Sequence, residues 1–360
     1  MIAGPVANVM PARVLLIRAD ASSEIGVGHV MRCAALAQAW RSAGGQTVFA
    51  LATGARELED RLRSMGSEVA RIRGEPGSAQ DAAQTNEFCR TYEACWLALD
   101  GYHFSQGYRA ALKNSGARLL FVDDLADCAP YGCDIVLNDN LEAEKLFTGN
   151  RGEVRFLLGP RYALLRQEFL EFKRELSNVP ARARRILVTF GGGDPQNMTL
   201  KVFEALGKLR DSMLDITVVV GASNPHRQSL EEAVDRSPHS AKILVNVKIM
   251  PELMSQSDLA VSAGGGTCYE LAFMQVPMLL VIVANNQERT VKAFSAAKAA
   301  VSAGWFGSLE EESLVALLAK LIGDQTLRQQ LRENAGQMVD RRGAQRVVEA
   351  MLEMQNEVRG

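Results

Sequence analysis

The stretch RADASSEIGVGHVMRCAALAQAW, residues 18–40, leads from the end of a hydrophobic strand through a glycine turn into a helix. Gly26 and Gly28 form the turn and deliver His29 onto the first turn of the helix. Unpaired backbone N–H groups at that helix end attract negative charge and disfavour an imidazolium. We therefore expect a neutral His29 that accepts a proton near pH 7, beside an anionic substrate.

Three further residues of this stretch are candidates for the site. Arg32 lies one helical turn beyond His29 and is expected to meet a phosphate, although arginines on helix surfaces are commonly just solvated. Asp20, at the strand end, is a candidate for orienting His29, and the alternative is an ordinary turn residue. Gly28 is counted among the candidate substrate-binding residues, because glycine lets a ligand approach the backbone closely.

Short apolar runs alternate with helix-length amphipathic segments along the chain, which is typical of βα units and a parallel sheet. The runs fall into two groups, so we infer two sheets whose carboxyl ends surround one cleft. The predicted fold class is α/β, with two Rossmann-like, doubly wound domains facing an interdomain cleft. The predicted strands cover 14–19, 47–52, 95–100, 118–123 and 134–138, then 185–190, 215–220, 241–246, 258–263 and 277–282.

A boundary between the two groups is predicted at 177–184, where Pro180 and several basic residues indicate a solvated linker. The last helix of the chain is expected to pack back across the cleft. The predicted helices near and after the boundary cover 161–176, 308–322, 324–339 and 343–357. The predicted division of the chain is an extension at 1–13, domains at 14–180 and 181–340, and a C-terminal helix at 341–360.

The composition argues against several classes of function. With 40 basic against 42 acidic residues and a net charge of −2, the chain has no electrostatic footprint for nucleic acid or an anionic membrane. No apolar run reaches the roughly 18 residues of a membrane span, and the N-terminus lacks signal-peptide order, so a cytoplasmic protein is expected. The spacing of the six cysteines and four histidines predicts neither a disulfide framework nor a metal site, and we expect no cofactor.

Three strands run into glycine turns, and none of these turns matches a common nucleotide fingerprint. In EIGVGH, residues 24–29, Met31 takes the third glycine position of the dinucleotide motif, which disfavours NAD. The turn TFGGGDPQN, residues 189–197, lacks the lysine of a P-loop, so hydrolysis of a nucleoside triphosphate is not indicated. The third turn is SAGGGTCYEL, residues 262–271.

The second and third turns are candidate ligand loops, because each leads from a strand into a helix at the carboxyl end of a sheet. Gly191 and Gly192 allow close backbone approach, and Asp194 or Asn197 would begin the next helix. Taken singly, each turn is as easily a structural connection. In the third turn the amides are expected to hold a diphosphate and the helix to reach ribose hydroxyls, and the candidates are Gly264, Gly265, Gly266, Thr267 and Glu270.

Polar side chains follow two other strands. Tyr102 in LDGYHF, residues 99–104, is a candidate hydrogen-bond partner for a sugar, with simple packing as the alternative. Asn286 and Gln287 in VIVANNQERT, residues 281–290, could read a base or a sugar, with capping of a turn as the alternative. The pair Asp123 and Asp124 would face opposite sides of an extended chain, so a two-carboxylate glycosidase site is not implied.

Taken together, RADASSEIGVGHVMRC, LALDGYHF, LLGPRYALLRQEF, ILVTFGGGDPQN, VSAGGGTCYELA and VANNQ resemble the PseG family of UDP-sugar hydrolases in pseudaminic acid biosynthesis. The resemblance runs from about residue 14 to about residue 300. That family is similar in fold to the MurG branch of the GT-B glycosyltransferases, with the nucleotide in the C-terminal domain. The resemblance implies metal-independent hydrolysis of UDP-2,4-diacetamido-2,4,6-trideoxy-β-L-altropyranose to UDP and the free sugar, with inversion.

Carried over to this chain, the resemblance makes His29 the general base and places Tyr102 and Asn286 at matching functional positions, while Glu270 matches the glutamate after the glycine turn. His29 would take a proton from a water that attacks the anomeric carbon, and backbone amides would stabilise the departing UDP. The implied partner is a UDP-sugar, with no nucleic acid and no membrane. A UDP-sugar glycosyltransferase, a UDP-sugar 2-epimerase and a non-catalytic UDP-sugar binding protein remain open on the same architecture.

Overall fold

Two separate parallel sheets organise the chain in a computed structural model that describes residues 13–22, 26–148, 152–173, 178–210, 213–222 and 224–357. The predicted extension at 1–13 lies outside this range except for Arg13. The first sheet has seven strands and the second has six, and within each sheet every pairing of neighbouring strands is parallel. The fold is α/β with two Rossmann-like domains, as the sequence predicts.

The residues up to Glu171 form the first sheet and the helices of the first half of the chain. The strands are β1 Val14–Ala19, β2 Gln46–Leu51, β3 Glu68–Arg71, β4 Ala94–Asp100, β5 Arg118–Val122, β6 Ile135–Asn138 and β7 Arg155–Leu158. The helices are α1 Gly28–Ser42, α2 Arg56–Ser64, α3 Ala79–Thr91, α4 Gln106–Ala111, α5 Ala143–Leu146 and α6 Gln167–Glu171.

The second sheet begins at Arg185. Its strands are β8 Arg185–Thr189, β9 Asp215–Val220, β10 Ser240–Val245, β11 Leu259–Ala263, β12 Met278–Ile282 and β13 Val301–Trp305. The helices of this half are α7 Met198–Gly207, α8 Arg227–Asp235, α9 Met250–Ser255, α10 Thr267–Phe273, α11 Glu288–Ala296, α12 Glu311–Gly323, α13 Gln325–Gly336 and α14 Gly343–Glu357.

The strand order of each sheet indicates the edge at which such a sheet binds ligands. The first sheet runs β3-β2-β1-β4-β5-β6-β7 and the second β10-β9-β8-β11-β12-β13. In each sheet the order reverses next to the first strand, between β1 and β4 and between β8 and β11. Open α/β sheets bind ligands at the carboxyl ends of such strands, because the connecting loops diverge there and leave a crevice. The glycine turns of the sequence follow β1, β8 and β11, so all three lie at these points.

Central strands are buried on both faces, which explains their continuous apolar runs. All six residues of β1 and all five of β11 are buried. Helices cover each face, and Trp40 of α1 and Phe203 of α7 belong to the cores on either sheet. Such burial of large side chains contributes about 1.5–3 kcal/mol each, so the strand ends are held on a rigid base.

Packing crosses the predicted boundary at residue 180 in both directions. Ala163 and Phe169 precede the boundary, yet they belong to a core cluster of the second sheet. Val347 and Met351 of α14 are fully buried in the core of the first sheet. Gly343 begins α14 where a Cβ would lie 2.0 Å from the carbonyl oxygen of Ala163, so only glycine allows this approach.

The predicted helix over 161–176 is wrong. The structure has a short 3₁₀ turn at Pro160–Tyr162, an extended backbone at Arg166 and helix α6 over Gln167–Glu171, while 174–177 lie outside the described residues. The apolar residues of this segment have helical spacing, but Ala163, Leu165 and Phe169 are buried against the second domain. Tertiary packing of this kind overrides a local sequence pattern.

Three strands were not predicted from the sequence, namely β3, β7 and β13. All three lie at sheet edges, where a strand has only one neighbour. Their burial is partial or mixed, as in EVAR of β3 and VSAGW of β13. A half-exposed strand carries polar residues and lacks the continuous apolar run that identifies a central one.

Candidate active site

A histidine and a carboxylate meet at the carboxyl edge of the first sheet. His29 is the second residue of α1, and Asp100 is the last residue of β4. Because Ala19 of β1 pairs in register with Asp100, the helix that follows β1 starts beside that carboxylate. The His29 Nδ1 atom lies 2.6 Å from Asp100 Oδ1. An ionised carboxylate only accepts hydrogen bonds, so Nδ1 carries a proton and Nε2 is the free nitrogen of the uncharged ring.

The carboxylate that orients His29 is therefore Asp100 and not Asp20, the candidate from the sequence. Asp20 Oδ1 instead accepts hydrogen bonds from the amides of Ala52 and Thr53, at 2.8 Å each. These bonds tie the end of β1 to the loop after β2. Residues 23–25 of the turn lie outside the described residues.

The charge environment of His29 differs from the expectation of a neutral ring at a helix end. Burial alone would lower the pKa of His29, but the charge and hydrogen bond of Asp100 outweigh it and raise that pKa above 6.5. Burial would raise the pKa of Asp100, but Arg32 and His29 hold it well below its ordinary value. The prediction counted the helix end and missed the carboxylate. The pair is a stronger base than a free imidazole, and it is protonated at a higher pH.

Arg32 positions the carboxylates of this edge. Its guanidinium donates to Asp100 from Nε at 2.9 Å and Nη2 at 2.7 Å, and to Asp124 from Nη1 at 2.9 Å and Nη2 at 3.0 Å. The expected phosphate contact is thus replaced, in this arrangement, by two bidentate carboxylate pairs. Such forked pairs fix geometry as well as charge.

Tyr102 and Asn286 join the two domains over His29. The Tyr102 hydroxyl donates to Asp124 Oδ2 at 3.2 Å and accepts from Asn286 Nδ2 at 2.7 Å. Its ring meets the His29 ring edge to face, with centroids 4.9 Å apart. Burial and the nearby Asp124 raise the pKa of Tyr102 above its ordinary value, so the phenol stays protonated. Three residues that the sequence predicted from separate motifs therefore lie in direct contact.

A cavity of about 300 Å³ opens beside this cluster. It is large enough for a monosaccharide, since ligand pockets for small molecules begin at roughly this volume. A Cβ at Gly28 would meet no atom within 4 Å, so the start of α1 also borders open space. The residues that line the cavity are Asp20, His29, Asp100, Gly101, Tyr102 and His103.

The second glycine turn faces the first across the cleft. Gly191 has a φ of +85°, which favours glycine, and Gly192 lies against the side chain of Val27, which precedes α1. Asp194 caps α7, because its carboxylate accepts from the amides of Met198 at 2.9 Å and Thr199 at 2.8 Å. Two amides at this helix start are thus already satisfied by the chain itself.

The third glycine turn is tightly packed on one side and open on the other. A Cβ at Gly264 would lie 2.3 Å from Val291, and the Gly264 amide donates to the carbonyl of Val281 at 3.3 Å. Gly264 therefore supports the turn, which is a correction to its expected role as a diphosphate donor. Gly266 is exposed at the start of α10, and Thr267 is the first residue of that helix.

Glu270 and Gln287, both expected to contact the nucleotide, have partners within the chain. Glu270 Oε1 accepts from Arg166 at 2.8 Å and 3.2 Å, and Arg166 precedes the second domain. Gln287 Oε1 accepts from the amide of Val283 at 3.1 Å, which is the capping role named as the alternative. Gln287 also packs against Gly264.

Further contacts close the seam between the domains. Thr290 donates to Asn140 at 2.8 Å, and the Tyr269 hydroxyl donates to the carbonyl of Asp139 at 3.2 Å. Arg289 donates to the carbonyl of Leu125 at 2.6 Å. All three join α10 or α11 to loops after β5 and β6, so the two carboxyl edges meet around the candidate site.

Three important residues were missed by the sequence reasoning, namely Asp100, Asp124 and Arg166. Asp100 is the last residue of β4 and Asp124 follows β5 by two positions, and this placement at the ends of strands was the available signal. Their partner Arg32 lies 68 and 92 positions away along the chain. A pairing over that distance depends on strand order, which the sequence alone did not supply.

Within the described part of the chain, one group of side chains could hold a metal ion. Ligand atoms of Asp123, Asp127 and Cys128 lie within 4.8 Å of one another. The guanidinium of Arg109 donates to the Cys128 carbonyl at 2.5 Å, so a positive charge already lies nearby. These residues do not line the cavity.

None of the helices that the structure describes is long and apolar enough to cross a membrane.

The second half of the chain matches a known protein family. Residues 185–347 match the glycosyltransferase family 28 C-terminal domain. The match takes in the whole second sheet. Solved structures of similar fold include MurG of Acinetobacter baumannii, with a TM-score of 0.66 and 17% identity over 95% of this chain and 100% of that one. A putative UDP-N-acetylglucosamine 2-epimerase of Listeria monocytogenes has a TM-score of 0.67 and 14% identity, over 96% and 97%. The fold is GT-B.

The chain spans less than two thirds of the length of two of the curated relatives that it matches by sequence. The chain is 25% identical over 282 residues to an uncharacterized protein of Methanocaldococcus jannaschii, covering 76% of this chain and 56% of that protein. It is 28% identical over 205 residues to the spore coat polysaccharide biosynthesis protein SpsG of Bacillus subtilis, covering 57% and 60%. A third relative is the UDP-2,4-diacetamido-2,4,6-trideoxy-β-L-altropyranose hydrolase of Campylobacter jejuni, 24% identical over 77% of this chain and 94% of that enzyme.

Proposed function

We propose that this protein hydrolyses a UDP-linked diacetamido-trideoxy sugar, UDP-2,4-diacetamido-2,4,6-trideoxy-β-L-altropyranose, to UDP and the free sugar with inversion. The observation that carries the proposal is the His29–Asp100 pair on the wall of a sugar-sized cavity, with the hydroxyl of Tyr102 beside it. The Campylobacter relative supports the substrate, since its name states this reaction and it aligns along most of both chains.

The two halves of the site divide the work between sugar and nucleotide. The base and the cavity belong to the first domain, whereas the match to a glycosyltransferase family 28 C-terminal domain covers the second. The glycine turn after β11 then receives the diphosphate, with the amides of Gly265 and Gly266 as donors and Thr267 alongside. Anions favour helix starts because the amides there point outward and lack partners.

The chemistry of the first half follows from the tautomer of His29. Asp100 holds the proton on Nδ1, so Nε2 takes a proton from a water molecule in the cavity as the water attacks the anomeric carbon. Asp100 stabilises the imidazolium that forms, because it stays ionised beside Arg32. A single displacement from the side opposite UDP inverts the anomeric centre.

The leaving group needs little help from a proton donor. UDP departs as a weakly basic diphosphate, so amides that stabilise its developing charge replace a general acid. Asn286 and Tyr102 hold the seam closed above the reacting carbon and keep the attacking water on the His29 side. Glu270 is a candidate for the ribose hydroxyls through the carboxylate oxygen that Arg166 does not hold.

A glycosyltransferase is the second candidate, and the match of residues 185–347 to a glycosyltransferase domain favours it. It would use the same base to activate a hydroxyl group of an acceptor. A non-catalytic UDP-sugar binding protein would need no base, so the His29–Asp100 pair would have no role in it. A 2-epimerase would shift the configuration of the sugar without net hydrolysis.

Incubation of the purified protein with a panel of UDP-linked amino sugars separates these activities. We expect UDP to be released from the diacetamido-trideoxy sugar without any acceptor, and added alcohols or lipid acceptors to leave the rate unchanged. His29→Asn should reduce the rate by about 10²–10⁴, the usual contribution of a general base, while calorimetry shows unchanged UDP binding. Strict dependence on an acceptor would show a transferase, and full activity of His29→Asn would overturn the role of His29.

A further inference from the structure

A second histidine lines the same cavity and is also held by a carboxylate. His103 lies two positions after Asp100's neighbour Gly101, and its Nε2 atom is 3.2 Å from Asp20 Oδ2. Asp20 is buried, whereas about a quarter of the His103 side chain is exposed. Neither residue has a part in the proposed displacement. Both line the cavity that holds His29.

Asp20 is locked in its ionised form. Arg18 Nη1 lies 2.7 Å from Asp20 Oδ2, and the amides of Ala52 and Thr53 donate to Oδ1. Burial would raise the pKa of Asp20, but the contact with His103 and the charge of Arg18 lower it to about 2. A carboxylate without a proton can only accept. The 3.2 Å contact with this carboxylate favours the tautomer of His103 that carries its proton on Nε2, and in that tautomer Nδ1 is an acceptor.

Because Gly101 has no side chain, it leaves room for the Nδ1 edge of His103 at the cavity wall. A Cβ at residue 101 would lie 2.9 Å from Cε1 and 3.3 Å from Nδ1 of His103, so a larger residue would push the ring away. Gly101 itself lines the cavity. The ring also packs on Phe104, with centroids 4.1 Å apart. Glycine on one side and Phe104 on the other fix the ring in this orientation.

We infer that His103 is a substrate-positioning residue, whose Nδ1 accepts a hydrogen bond from an N–H or O–H group of the sugar. The inference rests on the proposed function, because it requires a nucleotide sugar with its sugar ring in this cavity. An acetamido group and a hydroxyl group both supply such a donor. His29 and His103 then have different tasks on one wall, since the first activates water and the second selects the sugar.

Binding measured by calorimetry tests this assignment in a His29→Asn background, which should slow turnover by about 10²–10⁴. The probes are UDP and UDP-2,4-diacetamido-2,4,6-trideoxy-β-L-altropyranose. His103→Gln keeps a donor that reaches Asp20 but lacks an acceptor at the Nδ1 position, so the Kd of the nucleotide sugar should rise about threefold to tenfold. The Kd of UDP should stay the same. His103→Asn offers an oxygen near the Nδ1 position and should recover part of the loss.

Two further probes distinguish the donor. UDP-N-acetylglucosamine carries an acetamido group at the carbon where UDP-glucose carries a hydroxyl group. A loss confined to UDP-N-acetylglucosamine assigns the contact to the amide, and an equal loss for both assigns it to a hydroxyl group they share. His239→Gln is the matched control, because His239 precedes β10 at the opposite edge of the second sheet and should change neither Kd.

Each failure has its own signature. Equal Kd values for the nucleotide sugar in parent and His103→Gln would overturn the inference and leave the proposed function standing. A parallel loss for UDP and the nucleotide sugar would show general damage and also overturn it. If the parent binds UDP but does not bind the nucleotide sugar, the proposed substrate itself is contradicted, and this inference with it.

Discussion

At the scale of single residues, the site depends on where protons are held. Asp100 keeps a proton on Nδ1 of His29, and Arg32 keeps Asp100 ionised through two hydrogen bonds. The net effect raises the pKa of His29 above 6.5. A base with a raised pKa accepts a proton more readily, but it is available only at pH values above that pKa.

The pH dependence of kcat/KM should follow from this shift. The neutral ring is the active form, so activity is lost as the pH falls through the raised pKa, and the acid limb lies above 6.5. In Asp100→Asn the main charge that raises the pKa of His29 is gone and only the smaller effect of Asp124 remains, while burial and Arg32 still lower that pKa, so the limb moves to lower pH. The rate at high pH should also fall, by about 10²–10⁴. Initial rates between about pH 5 and pH 9 measure both effects.

Asp127→Asn serves as the control for this profile, because Asp127 is exposed and lies outside the cavity. Its acid limb should match that of the parent protein. An acid limb that does not move in Asp100→Asn would mean that Asp100 has no electrostatic control over the catalytic base.

Sequence reasoning named candidate residues of the site but not the partners that the structure gives them. His29, Tyr102 and Asn286 were predicted from separate motifs, and the structure brings them into contact. Asp100 lies 71 positions from His29, and only the register of β1 against β4 brings the two together. The raised pKa of His29 was not predicted for the same reason, since it depends on Asp100, a residue that no local pattern connects to His29.

At the scale of elements, glycine turns and capped helices build the carboxyl edges. In the turn after β8, Asp194 contributes both to the turn and to the cap of the helix that follows it. Asp194 has a φ of +47° and accepts two amide hydrogen bonds at the start of α7. The cap holds the loop of Gly191 and Gly192 against Val27 of the first domain.

Removal of the α7 cap should therefore cost stability. Asp194→Ala leaves the amides of Met198 and Thr199 without their partner, and we expect a loss of about 1–2 kcal/mol in the free energy of unfolding. Urea denaturation measures the change. Asp194→Asn keeps one oxygen acceptor and should lose less than the alanine variant. Equal stability of all three proteins would contradict the capping role.

Elements were predictable from sequence where burial is complete, and not elsewhere. The strands with continuous apolar runs were found within a few residues, as with β1 and β9. Edge strands such as β3 were missed because their partly exposed residues lack such a run. The apolar residues from Ala163 to Arg166 fit helical spacing, which predicts a helix, but this segment packs on the second core with an extended backbone at Arg166, and helix α6 begins only at Gln167.

At the scale of the whole molecule, the chain crosses between its domains twice. The segment around Ala163 packs on the second core, and α14 returns to the first.

Met351 provides a test of the return crossing. It is fully buried in the core of the first sheet, so Met351→Ala should lower the free energy of unfolding by about 2–5 kcal/mol. Hydrogen exchange should show the lost protection in α1, although residue 351 follows the second domain in sequence. Leu352→Ala, which removes a partly exposed side chain, is the matched control with a smaller effect. Lost protection confined to the second sheet would contradict this packing.

The most direct test of the account is the path of oxygen during hydrolysis in H₂¹⁸O. If His29 directs water to the anomeric carbon, the bond between that carbon and the diphosphate oxygen breaks, and mass spectrometry should find UDP without ¹⁸O. Proton NMR at early times should show the inverted anomer. UDP that carries ¹⁸O, or a free sugar with retained configuration, would contradict the account.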